Sequence, residues 1–173
     1  MANKEPVTFR MGTRVLFVCM GNICRSAMAE GLFRHMVKQA GLEDIVTVAS
    51  AGTHGYHVGE APDRRAIAAA ARRGVDISDL RATRVSDHDL DQYDLVLAMD
   101  WDNLSMLQHS VGKRHRHKLQ LLMRFATEYD SATIPDPFYG NQAAFEQTLD
   151  YIEDACGGLL ELVKRRATQV AAA

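Results

Sequence analysis

An alternation of two kinds of segment constrains this chain more than any other feature. "RVLFV" (Arg14 to Val18) is a short unbroken apolar run rich in β-branched and aromatic residues, the composition of a strand covered on both faces. It leads at once into Ser26 to Gly41, where Met28, Leu32, Phe33, Met36 and Val37 fall at helical spacing and Gly41 supplies the stop. The order then recurs. "DIVTVASAG" reads as a strand near Ile45 to Ala49, and "APDRRAIAAAARRG" as a helix between Pro62 and Gly74. "YDLVLAMD" predicts a third strand around Asp94 to Met99, followed by Trp101, Leu104, Leu107 and Val111 along one helical face. "HKLQLLM" reads as a fourth strand. Phe145, Leu149, Ile152, Cys156, Leu159 or Leu160, and Val163 then step by threes and fours along a long amphipathic helix.

Strands separated by helices pair in parallel through right-handed crossovers. The expected fold is therefore α/β, a three-layer sandwich whose central parallel sheet of about four strands carries helices on both faces. Ligands bind such sheets at the carboxyl ends of the strands, which puts the loop after the first strand where a site belongs. With 173 residues, 47% of them apolar, the chain can bury one sizeable core. That domain is expected over 13–166, with 1–12 a flexible extension and the Ala-rich 167–173 a disordered tail. The N-terminal segment lacks the apolar stretch of a signal peptide, and no run is long enough to span a membrane, so no membrane partner is expected. A formal charge of −2, from 20 basic and 22 acidic residues, gives no footprint for nucleic acid. Three cysteines are too few and odd in number for a disulfide framework, which points to a reducing, cytoplasmic setting.

A loop that leaves a strand and starts a helix turns several backbone N–H groups toward one point, and the helix dipole adds partial positive charge there. "CMGNICRS" (Cys19 to Ser26) is such a loop. Gly21 permits conformations that a side chain forbids and Asn22 tolerates the left-handed one, so Met20, Gly21, Asn22, Ile23 and Cys24 suit a nest for inorganic phosphate or another oxyanion. Arg25 adds a planar fork matched to two phosphate oxygens. Cys19 lies at the floor, where the helix N-terminus and Arg25 favour the thiolate, the reactive form. Ser26 can donate a hydrogen bond to that sulfur and assist it as a leaving group. Neither GxGxxG nor GxxxxGK occurs, which argues against a nucleotide-binding fold.

These residues carry a resemblance. "CMGNICRS", with five residues between Cys19 and Arg25, resembles the active-site loop of the low-molecular-weight protein tyrosine phosphatases. "SAGT", "VLAMD" and "DPFYG" are similar to that family's landmarks, in its order. The resemblance implies hydrolysis of phosphotyrosine and other aryl phosphate monoesters, on tyrosine-phosphorylated proteins, through a phosphocysteine. It implies a monomer or weak dimer that uses no cofactor and no metal; His54, His57 and "SDHDLDQYD" show no metal-ligand spacing. Asp136, between Pro135 and Pro137, matches the general acid that protonates the leaving phenolate and later activates water. Tyr56, Phe138 and Tyr139 match aromatics that flank the cleft, with Met20 and Ile23 adding apolar rim. The resemblance also implies a reversible Cys19–Cys24 disulfide that shields the nucleophile. Cys156, on the apolar stripe of the last helix, reads as core, and "KRHRHK" (Lys113 to Lys118) as a solvated loop.

The chain departs from the family pattern at two places. Ala27 stands where a proline commonly starts the helix. After "DIS", Leu80 lies at or near the place of a His that supports the loop, so the bonds holding Asn22 and Ser26 must come from Ser50, Asp100 or elsewhere. Two related activities compete. A protein-arginine phosphatase carries Thr where this loop has Ile23, and the apolar side chain favours an aromatic ester. A thioredoxin-coupled arsenate reductase needs relay cysteines, and "SDLRATRVSDHDL" contains none.

Overall fold

The computed structural model describes residues 12–111 and 113–172. Strand β1 (Thr13–Cys19) is central. It pairs in parallel with β2 (Val46–Gly52) on one side and with β3 (Leu95–Ala98) on the other, and β3 pairs in parallel with β4 (Leu119–Leu121). The spatial order is β2-β1-β3-β4, so the chain reverses its direction of growth between β1 and β3. A crevice opens at such a reversal, beyond the carboxyl ends of the two strands.

The alternation of β1 sorts its side chains onto two cores. Val15, Phe17 and Cys19 face helices α1 (Arg25–Gln39), α2 (Arg64–Arg72) and α5 (Gln142–Ala172), where they meet Met28, Phe33, Ala69, Phe145, Ile152 and Cys156. Leu16 and Val18 face the other way, onto Leu90 of α3 (Asp87–Gln92), Leu107 of α4 (Trp101–Ser110) and Val111. The sheet is thus covered on both faces, as the apolar run of β1 requires. Phe17 and Phe33 meet edge to face with centroids 5.7 Å apart, and Cys156 is fully buried in this larger core.

Several elements differ from expectation. The fourth strand is only three residues long, because the chain turns into a 3₁₀ segment at Leu122–Phe125. Helix α5 continues to Ala172, past the domain end expected at 166; Ala167 and Gln169 are good helix formers that extend an already anchored helix. The expectations for residues 1–11 and for Ala173 lie outside the described residues. The basic run Lys113–Lys118 is solvated, with none of its residues buried, but forms a 3₁₀ turn where a loop was expected: Arg114 and His115 pair with Asp91, and Lys118 Nζ donates to the Leu90 carbonyl at 2.9 Å. Helix α3 is an element the alternation of strands and helices does not predict; Ser86 and Asp89 form a reciprocal capping box at its start.

Two adjacent glycines in α5 have opposite surroundings. A Cβ on Gly158 would stand 1.9 Å from the Phe125 carbonyl oxygen, whereas one on Gly157 would meet nothing within 4 Å. Gly158→Ala is expected to destabilise the fold by about 1–3 kcal/mol through overpacking. Gly157→Ala should stabilise it by about 0.5–1 kcal/mol through helix propensity. Denaturant midpoints at unchanged m check both, and shifts of the same sign would refute this packing.

Candidate active site

The loop from Cys19 to Arg25 is shaped from outside. The Cys19 carbonyl accepts from Thr53 N at 2.9 Å, the Met20 carbonyl from His54 N at 3.0 Å, the Ile23 carbonyl from Asp63 N at 2.8 Å and the Cys24 carbonyl from Met28 N at 3.0 Å. A peptide's N–H points opposite to its C=O, so turning these carbonyls outward turns the amides of Met20, Gly21, Cys24 and Arg25 toward the centre. The result is an anion cradle at the start of α1. Gly52 makes the close approach possible: a Cβ there would lie 2.7 Å from the Met20 carbonyl oxygen. The left-handed conformation falls on Asn22, with φ of 59°, and not on Gly21. Gly21 instead leaves room for the His57 ring, whose Cδ2 would stand 2.9 Å from an added Cβ.

Asn22 is held in that strained conformation by its side chain. Its Oδ1 accepts from Thr83 N at 3.0 Å, and its Nδ2 donates to Ser26 Oγ at 2.7 Å and to Ser50 Oγ at 2.9 Å. Ser50 in turn donates to Glu30 Oε1 at 2.9 Å, and Glu30 pairs with Arg34 at 3.0 Å. Because Ser26 Oγ accepts from Asn22, its own proton is free for the Cys19 sulfur 2.9 Å away. This chain replaces the support expected from a His. Leu80 lies half-buried against the larger core, while Ser50, Thr83 and Glu30 do the holding. Asp100 has a different task.

Arg25 is 2% exposed, and its Nη1 donates to Asp100 Oδ2 at 2.6 Å and to the Ile134 carbonyl at 2.9 Å. Asp100 is itself fixed as the N-cap of α4, accepting from Asn103 N at 2.8 Å. Burial opposes the guanidinium charge, but Cys19 and Asp100 outweigh it and hold the group above its ordinary range. Asp136 lies on the far side, with Oδ2 at 3.6 Å from Arg25 Nη2 and Oδ1 accepting from Phe138 N at 3.1 Å. Burial, reinforced by Cys19, pushes the Cys24 thiol upward, so Cys24 stays neutral.

Cys19, Met20, Gly21, Ile23, Cys24, Arg25, Tyr56, Asp136, Phe138 and Tyr139 line one cleft of about 270 Å³. Asn22 and Ser26 stand buried behind it. The rim aromatics are open to solvent, Tyr56 at 71% and Tyr139 at 95%, with Tyr56 stacked on His54 and Tyr139 edge-on to Phe138. His57, weighed in the sequence only as a metal ligand, also lines the cleft and bonds Glu60 at 2.8 Å. Among the described residues no cluster of His, Cys, Asp and Glu could hold a metal ion, and no helix is long and apolar enough to cross a membrane.

The profile of the family described as low molecular weight phosphotyrosine protein phosphatase matches residues 14–169. A low molecular weight protein-tyrosine-phosphatase of Streptomyces coelicolor is 40% identical over 159 residues, 90% of this chain and 96% of that one. The crystal structure of a protein tyrosine phosphatase from Entamoeba histolytica superposes with a TM-score of 0.86 at 32% identity, over 89% of this chain and 98% of that one. The YwlE arginine phosphatase of Bacillus subtilis, in a structure with a phosphorylated active-site serine, superposes with a TM-score of 0.79 at 29% identity, over 88% and 96% of the two chains. On this sequence match and shared architecture, the chain belongs to the low molecular weight phosphotyrosine protein phosphatases, a family of cysteine-dependent phosphate monoester hydrolases.

Proposed function

We propose that this protein hydrolyses phosphotyrosine in proteins, and other aryl phosphate monoesters, through a phosphocysteine. The convergence of Cys19, Arg25 and Asp136 on one cleft with aromatic walls carries the reading. The phosphate seats on the inward amides of the loop. Arg25 Nη1 is committed to Asp100 and Ile134, which leaves its Nε and Nη2 as a side-on fork for two phosphate oxygens. The Cys19 thiolate attacks phosphorus, the bond from phosphorus to the phenolic oxygen breaks, and Asp136 delivers a proton to that oxygen. In the second half Asp136, now a carboxylate, takes a proton from the attacking water, and the S–P bond breaks to release inorganic phosphate and the thiolate. The Ser26 hydroxyl donates to the sulfur as charge returns to it. Cys24, neutral and beside Cys19 in the cleft, is placed to capture an oxidised Cys19 as a disulfide with loss of water. Three free thiols suit a reducing cytoplasm.

A second reading, arginine phosphatase, is favoured by the likeness to YwlE. The rim supports the aryl ester instead: Ile23 lines the cleft beside Tyr56, Phe138 and Tyr139, an apolar wall suited to a phenol. Initial rates with EDTA present should favour a phosphotyrosine peptide over its phosphoarginine counterpart by at least about tenfold, and Ile23→Thr should narrow that ratio. A faster reaction on phosphoarginine would overturn the assignment.

A further inference from the structure

The first turn of α2 ties the two halves of the cleft together. The Asp63 amide donates to the Ile23 carbonyl of the phosphate loop at 2.8 Å. The Asp63 carboxylate then grips Arg65, accepting from its Nε at 3.0 Å and its Nη2 at 2.9 Å. The outer edge of the same guanidinium faces the segment that carries Asp136. Its Nη1 donates to the Gly140 carbonyl at 2.8 Å and its Nη2 to the Phe138 carbonyl at 2.9 Å. Helix α5 closes the arrangement, since Gln142 Nε2 donates back to the Arg65 carbonyl at 3.0 Å and Phe145 lies under the guanidinium at 4.4 Å.

Asp136 itself is poorly anchored. Its side chain is 41% exposed, and its ion pair across the cleft, to Arg25, is 3.6 Å long. What fixes it is the turn it begins: Asp136 Oδ1 accepts from Phe138 N, and Gly140 N donates to the Pro137 carbonyl at 2.8 Å. Arg65 holds that turn by two carbonyls. The Asp63–Arg65 pair is partly exposed, with side chains at 14% and 32%, so as an ion pair it adds little to global stability. Its effect is on distance.

We infer that Arg65 is a positioning residue, which, braced by Asp63, sets the reach of Asp136 over Cys19. The inference rests on the assignment of Asp136 as the acid. A fixed acid matters most when the leaving phenolate is basic and least when it is already stable.

The test compares kcat/KM on phenyl phosphate, whose leaving group is basic, with that on nitrophenyl phosphate, whose leaving group is not. Arg65→Met should lower kcat/KM about tenfold on the first and less than about twofold on the second. The thermal midpoint should move by no more than about 3 °C. Asp136→Asn should show the same selectivity, larger, and Arg65→Met should add nothing in that background. Equal losses on both esters, no loss, or additivity with Asp136→Asn would overturn the inference. An Asp136→Asn protein without leaving-group dependence would overturn the underlying assignment instead. If Arg65→Met fails to fold, Arg65→Lys, which keeps the charge but not the fork, is read by the same ratio.

Discussion

Cys19→Ser is expected to lower steady-state turnover of an aryl phosphate by at least about 10⁴-fold while leaving phosphate binding in place. Serine is nearly the same size, and the side chain at this position is 3% exposed at the end of β1, so the fold has no reason to change. The cradle is built of peptide amides and Arg25, neither of which depends on the sulfur. What is lost is the nucleophile. A hydroxyl needs a base to take its proton, and the nearest group, Ser26 Oγ, is itself oriented to donate. Turnover and phosphate affinity, measured on one preparation, separate these roles. Full activity in Cys19→Ser would remove the phosphocysteine.

The second large effect is expected at Arg25. Arg25→Lys keeps the charge but cannot span Asp100, the Ile134 carbonyl and two phosphate oxygens together. One of Asp100 and the Ile134 carbonyl, or the phosphate, is left without its donor in a buried place. Loss of one such donor costs about 10²–10³ in rate. The folded state should lose about 1–3 kcal/mol from the unpaired acceptor. If kcat/KM stays within tenfold of the parent while stability falls, Arg25 is a structural tie from the start of α1 to the N-cap of α4 and the Ile134 segment, and the phosphate is held by the amides alone.

The sheet and its helices were legible because both faces of β1 are buried and its apolar run could be little else. The loop after β1 was legible for a similar reason: Cys19, Gly21, Asn22 and Arg25 lie within seven residues, and sequence proximity is spatial proximity there. What joins residues far apart was not legible. No local pattern says that Arg25 meets Asp100, 75 residues on, or that Thr83 and Glu30 share the work of holding Asn22. Leu80 marked where a support was missing without marking its replacement. Arg65 was invisible within an Ala-rich helix because its partners, Phe138 and Gly140, reach it only through the fold. Helix α3 could have been found, since Ser86 and Asp89 have capping-box spacing, but with Leu90 as its one buried residue the six-residue segment carries little apolar periodicity.

The outward bonding of the loop carbonyls also bears on how fast such an enzyme can run in a cell. A cradle held open by Thr53, His54 and Asp63 needs no organic group to take its shape, so it is expected to accept any tetrahedral oxyanion that fits. The final product is one of these. On the proposed mechanism free phosphate is expected to compete with each phosphorylated substrate, so the rigidity that readies the site for attack would also tie its working rate to the ambient phosphate pool.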